Sequence, residues 1–255
     1  MSNGVRTPRD YLVKFARKHG LTAIYSNEKN LNRTAIWAER GKIGVIHERC
    51  FGRLVEEYRG LKLVRGKGKE EADAKFGVGG KRVELGVKLE FPKFVIDFGL
   101  WRYHTQLERK LLLRQVELSI GVIRDYLWDR NLVFARAPAE IFSLAERTKF
   151  FGDIIPGMWE GKAVLLDPNA EEELKRFREN EVYIIGGIVE RDRRMRTAEL
   201  GYDLPRRSIK YRGKSSLVPD RINIILEIAC RSLLGENMEK VIEEKMGRRE
   251  RAIQQ

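Results

Sequence analysis

Two adjacent glycines, two carboxylates and a run of arginines are where this chain could do chemistry. Val182–Val189 reads Val-Tyr-Ile-Ile-Gly-Gly-Ile-Val and is followed by Glu190-Arg191-Asp192-Arg193-Arg194-Met195-Arg196. Glycines at 186 and 187 inside such a run either let neighbouring backbones approach closely or leave a side-chain-free niche for a flat ligand. They are not a dinucleotide fingerprint: the Gly-x-Gly-x-x-Gly spacing is missing, and so is the glycine that opens a phosphate-binding helix. Glu190 reads as a strand-end carboxylate paired with Arg191 or Arg193, or, together with Asp192, as a holder of a divalent metal for RNA cleavage. Asp220, in Leu217-Val-Pro-Asp-Arg-Ile-Asn223, reads as a carboxylate stabilising a helix N-terminus. Arg191, Arg193, Arg194 and Arg196, then Arg206, Arg207, Lys210, Arg212 and Lys214, make residues 190–214 a block of 9 basic and 4 acidic side chains. A solvated face is the ordinary origin of such a run, but its place beside the glycine pair favours phosphate contacts.

The strand that carries the glycines needs others beside it. Phe94–Phe98, Leu132–Ala135 and Ala163–Leu166 are short apolar runs of buried-strand type, and Ser208–Tyr211 is a weaker one. Continuous apolarity over Val182–Val189 is what a strand covered on both faces of a parallel sheet requires. Helical segments come between the runs. Thr105-Gln-Leu-Glu108 is a capping box that opens an amphipathic helix to about Trp128. Ala137–Arg147 predicts a second helix, and Asn169-Ala-Glu-Glu172 the capped start of a third. A last helix opens with Pro219-Asp220 in its first turn, carries the stripe Ile222, Leu226, Ala229 and Leu233, and stops near Gly235. This alternation predicts an α/β core, a parallel sheet with helices on both faces. Ligands of open sheets gather at the carboxyl ends of the strands, which points to the loops after Leu166, Val189 and Tyr211.

The 255 residues carry 50 Lys and Arg against 37 Asp and Glu, a net charge of +13, and the field of such a chain favours a polyanionic partner, nucleic acid first. With 42% apolar and 34% charged residues the composition is that of a folded protein and excludes wholesale disorder. Residues 1–75 hold 17 basic and 9 acidic side chains. Tyr11, Leu12, Phe15 and Ala16 recur at helical spacing there, and Gly44-Val45-Ile46 and Leu61–Val64 read as strands, so this block folds. Among its basic residues, Tyr11, Phe15, Tyr25, Trp37 and Phe51 are mostly core, with one or two free to stack on a base. Arg65–Gly80, rich in Gly and Lys with no apolar period, predicts a linker or mobile loop. The expected organisation is a basic N-terminal RNA-binding domain with its linker over 1–80, a core domain over 88–245 and a basic tail over 246–255. Cys50 and Cys230 stand far apart, and His19, His47 and His104 show no ligand spacing, so no metal centre is expected. No apolar stretch reaches the roughly 18 residues of a membrane span and the first residues lack a signal-peptide core, which predicts a cytosolic protein with no membrane partner.

Three segments taken together resemble a known family. Leu165-Leu-Asp-Pro-Asn169, Val182-Tyr-Ile-Ile-Gly-Gly-Ile-Val-Glu-Arg-Asp192 and Leu217-Val-Pro-Asp-Arg-Ile-Asn223, with Phe94–Phe98 and Leu113-Arg-Gln115, are similar to the Trm10 family, in its archaeal branch. These are SPOUT enzymes that methylate N1 of the purine at tRNA position 9. The resemblance covers residues 90–240. It implies a knotted SPOUT-type parallel sheet, a monomer, tRNA as partner and S-adenosyl-L-methionine as methyl donor, bent within the knot. On this reading the donor rests against Leu165, Leu166, Gly186, Gly187, Ser208, Ile209, Lys210, Leu217, Val218 and Pro219. Glu190 and Asp220 become the catalytic carboxylates, and Arg114, Gln115, Arg191, Arg193, Arg194, Arg196, Arg212 and Lys214 the RNA contacts. The family places aspartate where this chain has Glu190, a difference in reach of about 1.3 Å.

Methyl transfer requires N1 at about 3–3.5 Å from the donor methyl, so positioning supplies much of the acceleration. Guanine carries a proton at N1 that a carboxylate could accept. Adenine offers a free lone pair, and the same carboxylate would accept a hydrogen bond from its exocyclic amine and offset the developing charge. The archaeal likeness favours adenine, with guanine open as well. Two rivals use the same charge: an RNA-binding or processing module without catalysis, and the metal-dependent nuclease.

Overall fold

A computed structural model describes residues 6–87, 93–189 and 196–246. The chain divides into two compact units, one of residues 6–87 with 124–128, the other of 93–123 with 129–189 and 196–246.

The first unit holds α1 (Pro8–Lys18), β1 (Ala23–Ser26), α2 (Leu31–Glu39), β2 (Gly44–Ile46), β3 (Cys50–Tyr58), β4 (Leu61–Ala72) and β5 (Ala74–Gly77). Its sheet runs β2-β5-β1-β4-β3. Tyr11, Leu12, Val13 and Ala16 of α1, the helix expected from their spacing, are buried with Leu31, Ala35 and Ala38 of α2 against Ile24, Leu63 and Phe76 of the sheet. Arg59 and Gly60, both with positive φ, make the two-residue turn that joins β3 to β4. The expected linker over 65–80 is corrected here. β4 continues to Ala72 and β5 follows at once, with Ala72, Ala74 and Phe76 buried. Glycine and lysine hide the strand because its outer half faces solvent at every position from 65 to 71 and has no apolar period to read.

The second unit is built on β6 (Phe94–Asp97), β7 (Leu132–Ala135), β8 (Ile154–Ile155), β9 (Val164–Leu166), β10 (Tyr183–Gly186) and β11 (Arg206–Arg207), in the order β11-β9-β10-β6-β7-β8. Every pairing in it is parallel. All residues of β6, β7 and β9 are buried, as continuous apolar runs require. Around the sheet are α3 (Gln106–Tyr126), α4 (Ala139–Thr148), α5 (Ile222–Leu233) and α6 (Met238–Lys245). Thr105 N–H donates to Glu108 Oε2 at 2.7 Å and Glu108 N–H to Thr105 Oγ1 at 3.3 Å, so the capping box opens α3 as read. Ile222, Leu226, Ala229 and Leu233 are all buried along α5.

Four local expectations change. The segment after Asn169 is not a helix: Ser208 N–H donates to Glu172 O at 2.8 Å and Leu174 N–H to Ser208 O at 2.8 Å, so its backbone is committed to a neighbouring chain segment. The apolar strand ends at Gly186, because Gly187 N–H turns to Asp97 O at 2.7 Å. The weak strand read at Ser208–Tyr211 lies two residues earlier, at Arg206–Arg207, with Ser208 in an isolated bridge to Glu173. Pro219 and Asp220 precede α5 rather than forming its first turn, and a further helix, α6, follows Gly235 with Asn237 accepting from Lys240 N–H at 3.0 Å.

Candidate functional site

The register fixes which residues meet at the carboxyl edge of the sheet. Leu165 stands opposite Ile184, Leu166 opposite both Ile185 and Arg207, and Gly186 opposite Asp97, which in turn faces Ala135. Asp167, Ser208, Gly187, Phe98 and Arg136 are therefore the next residues along one edge. Leu165, Leu166, Gly186, Gly187 and Ser208, up to 43 positions apart in sequence, are gathered there. Ile209 is buried, and Lys210 Nζ donates to Glu171 O at 3.2 Å. Leu217, Val218 and Pro219 belong to the loop that enters α5, the first two half-buried and Pro219 buried.

The two glycines have different reasons to lack a side chain. Neither lies in the left-handed region, so space decides. A Cβ on Gly187 would sit 2.8 Å from Asp97 O and 2.9 Å from Phe98 Cδ1, contacts that only a moved backbone could relieve. A Cβ on Gly186 would meet side-chain ends, Ile188 Cδ1 at 3.1 Å and Leu200 Cδ1 at 3.6 Å. Gly187 is held bare by fixed backbone, whereas Gly186 faces only the apolar side chains of Ile188 and Leu200.

This edge is braced by polar groups outside the predicted site residues. Asp97 is fully buried at the end of β6. Its carboxylate accepts from Gly99 N–H at 2.7 Å, Arg136 Nη2 at 2.7 Å and Tyr202 Oη at 2.5 Å. Arg136 also donates to Leu200 O at 2.9 Å, and Tyr202 Oη accepts from Trp159 N–H at 3.0 Å. Burial, and then the hydrogen bond to Asp97, push the Tyr202 phenol well above its ordinary value. On the other side, buried His104 places Nδ1 3.2 Å from Leu100 O and Nε2 3.1 Å from Val189 N. Val189 N–H can only donate, so Nε2 is the acceptor and Nδ1 carries the proton: the ring is neutral. Burial lowers its pKa, helped by Arg109 and opposed by the carbonyls of Trp101 and Leu100 and by Glu108. Val189 and the 197–202 segment are thus both tied to fixed elements.

Of the predicted RNA contacts, Arg114 is exposed and pairs with Glu117 at 2.9 Å. Gln115 is half-buried, and its Oε1 accepts from Ile222 N–H at 2.8 Å, which caps α5. Arg196, Arg212 and Lys214 are exposed, and Arg212 and Gly213, both with positive φ, form the turn between the bridged residues Tyr211 and Lys214. Arg206 and Arg207 pair with Asp167 at 3.4 Å and Glu172 at 3.0 Å. Asp220 is exposed two residues before α5. Glu190, Arg191, Asp192, Arg193 and Arg194 lie outside the described residues, as do 247–255 of the expected tail. Among the described residues no three His, Cys, Asp or Glu side chains gather as a metal-ligand set, and no helix is long and apolar enough to cross a membrane.

Comparison with known proteins now bears on this edge. The chain is 34% identical over 239 residues to a tRNA (adenine(9)-N1)-methyltransferase of Sulfolobus acidocaldarius, a match spanning 89% of this chain and 80% of the relative. This chain belongs to the Trm10 family. A second Trm10-family relative, the tRNA (guanine(9)-/adenine(9)-N1)-methyltransferase of Thermococcus kodakarensis, is 34% identical over 182 residues, 63% of this chain and about half (49%) of its own length. Sulfolobus acidocaldarius Trm10 in complex with S-adenosylhomocysteine superposes with TM-score 0.74 at 29% identity, over 96% of this chain and 86% of that one. The dual specific Trm10 from Thermococcus kodakaraensis superposes with TM-score 0.51 at 32% identity, over 60% of this chain and 99% of its own. No family model matches the sequence.

Asp97 did leave a signal in the sequence, one charge inside the apolar run Phe94–Phe98. Arg136, Tyr202 and His104 left none, because their partners are 39, 105 and 85 positions away.

Proposed function

We propose that this Trm10-family chain transfers a methyl group from S-adenosyl-L-methionine to N1 of adenine at position 9 of tRNA. The observation that carries the reading is likeness to an adenine-9 methyltransferase over 89% of the chain, joined to likeness to a Trm10 crystallised with S-adenosylhomocysteine over 96%. The residues fit such a donor: a Cβ-free position at Gly186 bounded by Ile188 and Leu200, and main chain of Leu165, Leu166, Gly187 and Ser208–Lys210 along the same edge, with Leu217–Pro219 on the loop to α5. When bound, the donor supplies an electrophilic methyl group. The chain's own part is to hold, orient and neutralise. Glu190 and Asp220 accept a hydrogen bond from the adenine amine and offset the charge that forms on the ring. For guanine the same carboxylate would take the N1 proton. Arg114, Arg191, Arg193, Arg194, Arg196, Arg212 and Lys214 hold phosphates, and Gln115 steadies α5 behind Asp220. The base must leave its stack to react.

The finer fold reading is a knot. It is supported by the clasp in which segment 205–208 hydrogen-bonds both to 165–167 and to 172–174. The remaining parts of the proposal are helices on both sheet faces, a basic N-terminal unit that helps capture tRNA, a basic tail after 246, and a monomer acting in the cytosol. The test is incubation with labelled methyl donor and two transcripts that differ only in adenine or guanine at position 9. Incorporation into the adenine transcript is expected, cut at least ~100-fold by Glu190→Gln or Asp220→Asn, the lower range for a lost acid–base group. No incorporation into either transcript refutes the proposal, and full activity in both variants removes the carboxylate roles.

A further inference from the structure

We infer that a glycine-built excursion in the β3–β4 ribbon of the N-terminal unit is a docking surface for tRNA phosphates. The inference rests on the tRNA reading above and adds where that unit would hold the RNA. Pairing along the ribbon runs Cys50↔Ala72, Phe51↔Glu71 and Gly52↔Glu70, then jumps to Arg53↔Arg65. Gly66, Lys67, Gly68 and Lys69 therefore have no partner on β3. Ordinary bulges insert one residue, and larger ones are uncommon and re-aim side chains at sheet edges. Here glycines make the excursion compact. Gly66 has φ +67°, and a Cβ on Gly68 would lie 2.0 Å from Gly52 O, so the excursion is folded flat onto the β3 backbone.

The lysines, in contrast, stand in solvent, as do Arg53 and Arg65, which face each other at the base of the excursion. Among the described residues Arg53, Lys67 and Lys69 make no ion pair, while Arg65 lies near Glu28 and lowers its carboxyl pKa against the larger, raising effect of burial. The neighbouring Glu71 is taken by Arg49 at 3.2 Å. Gathering four cations on one ribbon gains nothing for folding, since like charges repel across a ladder. It does suit a polyanion, whose condensed counterions are released on contact. Phe51, 58% exposed one position from Gly52, adds a face on which a base can stack. Beyond Val64 β4 is paired with β3 and no longer with β1, and lysines on such an open flank also discourage sheet-to-sheet aggregation, so the test must separate the two roles.

The full-length protein, its Lys67→Ala/Lys69→Ala variant and a control, Lys14→Ala/Lys18→Ala on α1, are titrated with a tRNA transcript across a salt series. Loss of two phosphate contacts should make the slope of log K against log salt shallower by about 1.4–1.8, at about 0.7–0.9 per contact. The control should keep the wild-type slope. The tRNA KM should rise in the ribbon variant with kcat and donor affinity unchanged, which separates docking from catalysis. An unchanged slope, an equal loss in the control, aggregation with intact tRNA affinity, or binding to anionic vesicles in place of tRNA would each overturn the inference. Wild-type protein that binds no tRNA would sink the tRNA reading along with it.

Discussion

Adding one methyl group at Gly186 and, separately, at Gly187 should part ligand binding from packing. In Gly187→Ala the new Cβ meets Asp97 O at 2.8 Å and Phe98 Cδ1 at 2.9 Å, and the strand cannot retreat without stretching the 2.7 Å bond from Gly187 N–H to that same oxygen. Overpacking of this kind costs about 1–3 kcal/mol. At roughly 2–4 °C per kcal/mol for a unit of this size, Tm should fall by roughly 2–12 °C. In Gly186→Ala the nearest atoms are Ile188 Cδ1 and Cγ1 at 3.1 and 3.4 Å and Leu200 Cδ1 at 3.6 Å, side chain in place of backbone, which can shift by a few tenths of an ångström. Loss of unfolded-state freedom then stabilises by about 0.4–1 kcal/mol, so Tm should hold or rise slightly. The same methyl fills the niche assigned to the donor. Affinity for S-adenosylhomocysteine, read by titration calorimetry, should drop at least ~10-fold, about 1.4 kcal/mol. Wild-type affinity in Gly186→Ala would refute the niche, and an unshifted Tm in Gly187→Ala would refute the packing argument.

Other outcomes follow from the polar braces. Because burial lowers the His104 pKa from 6.5, the unfolded chain binds a proton near that pH that the folded chain refuses. Stability from this group is complete above pH 6.5 and declines as pH falls towards the lowered folded value. His104→Leu should abolish that decline in urea midpoints and, by stranding the Val189 N–H, cost about 1–3 kcal/mol at neutral pH. A variant with the wild-type pH dependence would sink the neutral-acceptor assignment. Asp97→Asn keeps the shape but removes the charge that holds Arg136 and Tyr202, and should cost about 1.5–3 kcal/mol, the range for hydrogen bonds to charged groups. Release of the 197–202 segment should then speed tryptic cleavage after Arg196, and an unaltered cleavage rate would show that the brace holds nothing.

Sequence alone determined the elements whose reasons are local. The apolar runs at Phe94, Leu132 and Ala163 bury on both faces wherever they lie, and Thr105 and Glu108 cap α3 from three residues apart. The glycine pair was legible too, but not its place at the carboxyl edge, since the apolar run continues to Val189 while the strand ends at Gly186. Tertiary structure decided what depends on distant partners. Ser208 draws the Asn169–Glu172 segment out of the helix its capping signal favours, because two backbone hydrogen bonds outweigh a marginal local propensity. Charged residues at 65–71 form a strand because three glycines let one backbone lie on another, a close approach no periodicity records. The division of labour between Gly186 and Gly187 likewise rests on which neighbour each meets, flexible side chain or fixed carbonyl, and that is settled only when β6 and β10 lie side by side.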